Sequence, residues 1–72
     1  MSVVVRPGRL RHEMARRGWA AVDLARESRL SQATVSAALA GKPIAARSAG
    51  LMAQALVRAA VIDIMDTLML DD

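Results

Sequence analysis

The sequence predicts an all-α domain of about five short helices behind a short N-terminal arm. Two observations carry that prediction. In the stretch Leu24 to Gly41, LARESRLSQATVSAALAG, apolar residues recur at helical spacing on both sides of a sharp break at Arg29-Leu30. From Leu51 onward, apolar residues again recur every three or four positions up to Leu70. A chain of 72 residues makes one small domain at most.

Residues 1–8, MSVVVRPG, read as a flexible or extended arm. Val3, Val4 and Val5 favour extended backbone, and Pro7-Gly8 is expected to block helix. Helix 1 is expected over Arg9 to Arg17, with Leu10 and Met14 four apart on the inner face and Arg9, Arg16 and Arg17 outside. Gly18 ends it. Trp19, the only aromatic residue, is expected to seal helix 1 against helix 2. Helix 2 spans about Ala21 to Ser28, and Leu30 plugs the following turn. Ser31 is an N-cap for helix 3, because its hydroxyl can accept from a free N–H of the first turn. Helix 3 runs from Gln32 to Ala40, with Val35, Ala38 and Leu39 inward and Gly41 supplying a left-handed terminus. Lys42-Pro43 makes a loop, and helix 4 begins near Ala45 and continues through Leu56.

The tail, residues 57–72, has more apolar surface than one stripe. Leu51, Ala55, Ile62, Met65 and Met69 can face the core, while Val61, Ile64 and Leu68 form a second face at i, i+3 and i+7. So small a chain cannot cover both faces. Roughly residues 58–70 are therefore expected to form a fifth helix, separate from helix 4 or continuous with it. It is expected to pair with a second copy through Val61, Ile64, Met65 and Leu68. The competing reading is a helix folded back over the four-helix core of a monomer.

Composition narrows function. There is no cysteine and one histidine, His12, so neither a disulfide framework nor a zinc centre is expected, and no cofactor. No secretory leader is evident. Leu51 to Leu70 has spanning length, but Arg58, Asp63 and Asp66 interrupt it, so no membrane segment is expected and the default is a cytoplasmic protein. Paired catalytic carboxylates, a nucleophile with its base and a phosphate-binding Gly loop are all missing, which argues against an enzyme. No small-molecule ligand is suggested. Residues 1–50 carry nine Arg/Lys against Glu13, Asp23 and Glu27, a net charge of +6, whereas residues 51–72 carry a net charge of −3. A basic body with an acidic end suits a domain that binds a polyanion.

The register formed by Leu24, Ala25, Leu30, Ser31, Thr34, Val35, Ser36, Leu39 and Gly41, followed by Lys42-Pro43-Ile44, resembles the helix-turn-helix of the lambda-repressor/Cro (XRE) family. The resemblance covers residues 9–56. SQATVSAALAGKPI is also similar to the lac-repressor type of headpiece, but here a complete helix 1, LRHEMARRGW, comes first, as in the Cro/repressor arrangement. Three positions depart from the pattern. Arg29 stands where the turn usually has Gly, which means either strain or a remodelled turn; Ala20 removes a Ser/Thr cap; and Ala21 replaces a Gln that would donate to phosphate or base.

The resemblance implies a lambda-repressor-like bundle acting as a sequence-specific regulator on double-stranded DNA, a Cro-sized phage-type repressor in a bacterial host cell. It implies a homodimer on an inverted repeat. Helix 3 would enter the major groove with Gln32, Ala33, Ser36 and Ala37 on base edges. Gln32 alone can make a bidentate contact, most naturally to adenine, while the alanines offer methyl contacts and Ser36 bonds several bases. Ser31 and Thr34 suit phosphate, and Lys42, Arg47, Arg6, Arg9 and Arg11 suit the backbone or a minor groove. Two other readings stay open: an antitoxin or anti-regulator whose apolar tail captures a different protein, and an architectural DNA binder with little sequence preference.

Overall fold

The computed structural model describes residues 1–59. In chain order these form β1 (Ser2–Val3), α1 (Pro7–Arg16), α2 (Ala21–Ser28), α3 (Gln32–Leu39), β2 (Ile44–Ala45) and α4 (Ala46–Arg58). The molecule is small and mostly helical, as expected, with one short two-stranded sheet that the sequence reading did not anticipate. The fifth helix and the pairing residues Val61, Ile64, Met65 and Leu68 lie outside the described residues.

Across α1 to α3 the core is built where the helical spacing put it, whereas on α4 Met52 is buried and Leu51, expected to face the core, is half-buried at a cleft. Leu10 and Met14 of α1, Leu24 and Ala25 of α2, Val35 and Ala38 of α3, Ile44 of β2 and Met52 of α4 form one buried cluster, and Leu24 and Val35 are fully buried. Trp19, Leu30, Leu39 and Leu56 pack around it, half-buried. Ala25 and Ala38 are small enough to let α2 and α3 approach closely, and α2 packs against both α3 and α4. Ser28 is the one buried polar side chain among the described residues. Its hydroxyl donates to the Leu24 carbonyl at 2.6 Å, so it is not left unpaired.

Three successive helices end in the same way. After α1, Trp19 N–H donates to Met14 O and Gly18 N–H to Ala15 O. After α2, Leu30 N–H donates to Ala25 O and Arg29 N–H to Arg26 O. After α3, Lys42 N–H donates to Ala37 O and Gly41 N–H to Ala38 O. This pairing satisfies the last carbonyls of a helix but needs one left-handed residue. Gly18 and Gly41 supply it at φ 69° and 76°, and Arg29 supplies it at φ 59°, ψ 39°. The turn is thus not remodelled around Arg29: the side chain is carried in the left-handed region at a cost of about 1 kcal/mol. Arg29→Gly is expected to raise stability by about 0.5–1 kcal/mol, less than the full strain because Gly also loosens the unfolded chain. Thermal melts of the two proteins measure this, and an unchanged or lower midpoint would show that Arg29 makes a compensating contact.

The arm differs from expectation at two points. Pro7 does not block helix but starts it, occupying the first position of α1, where a missing N–H costs nothing and the fixed φ is already helical. Upstream, β1 pairs antiparallel with β2, Ser2 opposite Ala45 and Val3 opposite Ile44. The Met1 carbonyl then accepts from Ala46 N–H at 3.0 Å and so satisfies a free donor at the start of α4. The arm is extended, as expected, but it is fastened to the loop after α3.

The absent Ser/Thr at Ala20 is made good from inside the helix. The Asp23 carboxylate accepts from Ala20 N–H at 2.8 Å and pairs with Arg26 at 2.9 Å. Those contacts, the backbone bond first, hold its pKa below the usual carboxylate value. A depressed folded-state pKa means stability that is complete above the ordinary range, near pH 4, and lost as the pH falls through the folded value. The stability gap between the natural chain and Asp23→Asn is therefore expected to hold steady at neutral pH and to close in acid. A gap independent of pH would remove the charged cap from the account.

One side chain placed on the wrong side by the sequence reading is Arg17. It is not outside: only 9% of it is exposed. Its Nε donates to the Leu56 carbonyl at 2.8 Å, and its Nη1 donates to the Glu13 carbonyl at 2.7 Å and to the Glu13 carboxylate at 2.9 Å. Arg17 thus joins the end of α1 to the last turn of α4.

Candidate nucleic-acid interface

The site is centred on the outward face of α3. Ser31 sits before the helix in extended backbone, and its Oγ accepts from Thr34 N–H at 3.1 Å. The two hydroxyls are 3.0 Å apart, so the expected cap exists and Thr34 is tied to it. The remaining N–H groups of the first turn point off the helix end, with the positive end of its dipole. No acidic residue occupies that turn. An anion approaching here meets donors and no like charge.

Gln32, Ala33 and Ser36 are exposed on this face, and no protein hydrogen bond holds the side chain of Gln32 or Ser36 among the described residues. Ala37 is half-buried and packs in part on the core, so it sits lower than the other three. Ala33, Thr34 and Ala37 form one wall of a shallow groove of about 320 Å³, and Pro43, Ile44, Ala45 and Ser48 form the other. The second wall is the β1-braced loop. The sequence offered no signal for Ser48 in the first turn of α4 or for the backbone of Pro43 to Ala45, since burial of Ile44 in the core and pairing with Ser2 and Val3 together place that segment beside α3.

The cationic residues divide. Lys42 is exposed directly after α3, Arg6 is exposed just before α1, and Arg9 is exposed in its first turn. Arg11 is also exposed, but its guanidinium donates to the Leu39 carbonyl at 2.9 Å, at the C-terminal end of α3 rather than at its N-terminal end. Arg47 does not line the groove with Ala33 and Thr34. It lines a separate cleft of about 570 Å³ with Glu27, Ser28, Arg29, Leu30, Leu51 and Arg58.

Among the described residues, no group of His, Cys, Asp or Glu is placed to hold a metal ion. None of the described helices is long and apolar enough to cross a membrane. No protein-family model, curated protein or solved structure matches the chain.

Proposed function

We propose that this protein is a sequence-specific regulator of transcription that binds double-stranded DNA through a lambda-repressor/Cro-like helix-turn-helix, with α2 and α3 as its two helices. The observation that carries the reading is the face of α3. A Ser-capped helix N-terminus with no acidic residue in its first turn presents one amide side chain and one hydroxyl, both unengaged, and small methyl groups, on the outer side of the packed α2–α3 pair. A helix with short side chains on its outer face can lie deep in the major groove, where Gln32 and Ser36 meet base edges and Ala33 and Ala37 meet thymine methyls. Ser31, Thr34 and the helix end take phosphate, with Lys42, Arg6 and Arg9 along the backbone. Arg11 is held by the Leu39 carbonyl and Arg47 lies at a separate cleft, so both contribute less.

So few base contacts require two copies for useful affinity. The regulator is a homodimer on an inverted repeat with half-sites about 34 Å apart, paired through Val61, Ile64, Met65 and Leu68. Occlusion of polymerase by so compact a protein makes it a repressor of the Cro type.

Selection from a pool of random duplexes tests the reading. A palindromic consensus whose binding survives excess unrelated DNA supports it. Enrichment without consensus turns it into an architectural binder, and no retention of DNA at 50 mM salt rejects it in favour of a protein-binding antitoxin or anti-regulator.

A further inference from the structure

The second cleft is unlike the first. It runs between the C-terminal end of α2 with its turn, Glu27 to Leu30, and one face of α4 defined by Arg47, Leu51 and Arg58. Those three are spaced i, i+4 and i+11, which puts them on one stripe about 16 Å long. Leu30 and Leu51, both half-buried, give the cleft an apolar lining, and Arg29, Arg47 and Arg58 rim it. Among the described residues, none of these three guanidiniums has a hydrogen-bond or ion-pair partner, and the only acidic residue of the cleft, Glu27, leans to Arg26 at 3.7 Å. Three cations along an apolar floor ask for an occupant that is both apolar and acidic.

We propose that the occupant is the chain's own C-terminal segment, residues 60–72, folded back into the cleft with its aspartates against Arg47 and Arg58. Its composition is complementary: Asp63, Asp66, Asp71 and Asp72 are its only charged residues, and all the others except Thr67 are apolar. The segment begins two residues after Arg58, at the rim of the cleft. As a helix, 13 residues would measure about 20 Å, enough to run the length of the stripe. At helical spacing Asp66 falls beside Ile62 and Met69, so one face can meet both the leucines and the arginines, while Val61, Ile64 and Leu68 remain on another. Attachment to the same chain gives the segment a high effective concentration over a second copy. The docked segment neutralises the arginine cluster and leaves α3 as the place where a polyanion meets positive potential. The docking itself stands apart from the proposed DNA binding and is tested without DNA.

The test is nuclear magnetic resonance on the full chain. Methyl cross-peaks from Leu30 and Leu51 to Ile62 or Met69 are expected in uniformly labelled protein. They are expected to be absent from the isotope-filtered spectrum of a mixture of labelled and unlabelled chains, which reports only contacts between copies. The double charge reversal Arg47→Glu with Arg58→Glu, at two exposed positions, is expected to abolish them while the shifts of Leu24 and Val35 stay in place. Cross-peaks that appear in the filtered spectrum would overturn the proposal in favour of a second copy's tail. Their absence from both spectra would overturn it outright, and their persistence in the charge-reversed chain would remove the arginines from the contact.

Discussion

Arg17→Met is expected to destabilise the fold by about 2–3 kcal/mol, which for a domain of this size lowers the melting midpoint by about 10–20 °C. Methionine keeps much of the apolar stem but supplies none of the donors. The Leu56 carbonyl, in the last turn of α4, loses its partner, the Glu13 carbonyl loses the Nη1 donor, and the Glu13 carboxylate keeps only the exposed Arg16. Hydrogen bonds that involve a charged group and are shielded from water contribute more than exposed ion pairs do, and an unpaired acceptor near the core bears its own desolvation cost. The neighbouring Arg16 provides the contrast. It approaches the same Glu13 carboxylate at 3.1 Å but is half exposed, and Arg16→Met is expected to change stability by no more than about 0.5 kcal/mol. Urea denaturation of the two variants measures both. Equal losses would mean that the bridge from α1 to α4 contributes nothing beyond an ordinary surface pair. Arg17 also depresses the Glu13 pKa, chiefly through its side-chain hydrogen bond, so the difference between natural chain and Arg17→Met is expected to shrink as the pH falls through the acid range.

Gln32→Ala is expected to weaken binding to the selected DNA site by about 30-fold or more and to relax preference at one base pair of each half-site, the loss of one bidentate contact in each of the two recognition helices. Its fold is expected to stay intact, because Gln32 is exposed and its side chain supports nothing. Arg6→Ala is expected to behave differently. It should weaken binding to all sequences alike and lower the slope of affinity against salt by about two, one for each copy in the dimer, because a phosphate contact releases a counterion and reads no base. Fluorescence anisotropy on the selected site and on its single-base variants, at several salt concentrations, separates the two patterns. Unchanged affinity and preference in Gln32→Ala would take α3 out of the groove.

The helices themselves were legible in the sequence because their signals are local. Helix α2 lies where it was expected, Ser31 caps α3, and Gly18 and Gly41 take the left-handed positions that only a few residue types occupy at low cost. The buried set was legible for the same reason: the i, i+3, i+4 recurrence that nominated Leu10, Met14, Val35 and Ala38 is a property of the chain before it folds. Of the candidate interface, the α3 face could be read directly, since exposure of Gln32, Ala33 and Ser36 follows from burial of Val35 and Ala38 on the opposite side.

What the tertiary structure decided depends on partners distant in sequence. Val3 reads as a generic extended residue until it lies opposite Ile44, and only then does the loop after α3 become a wall of the groove. Arg17 is one more arginine in a basic helix until the end of α4 brings the Leu56 carbonyl within 2.8 Å. Arg47 likewise had a family-based expectation but no sequence signal for the cleft it shares with Arg29 and Arg58. The sequence by itself determined where the four helices lie to within about two residues and which faces of α1, α2 and α3 are apolar, because those follow from neighbouring residues. The tertiary structure decided which arginines are structural, which line a cleft and which stay exposed at the start of α1, because a long charged side chain takes its role from whatever the fold brings within its reach.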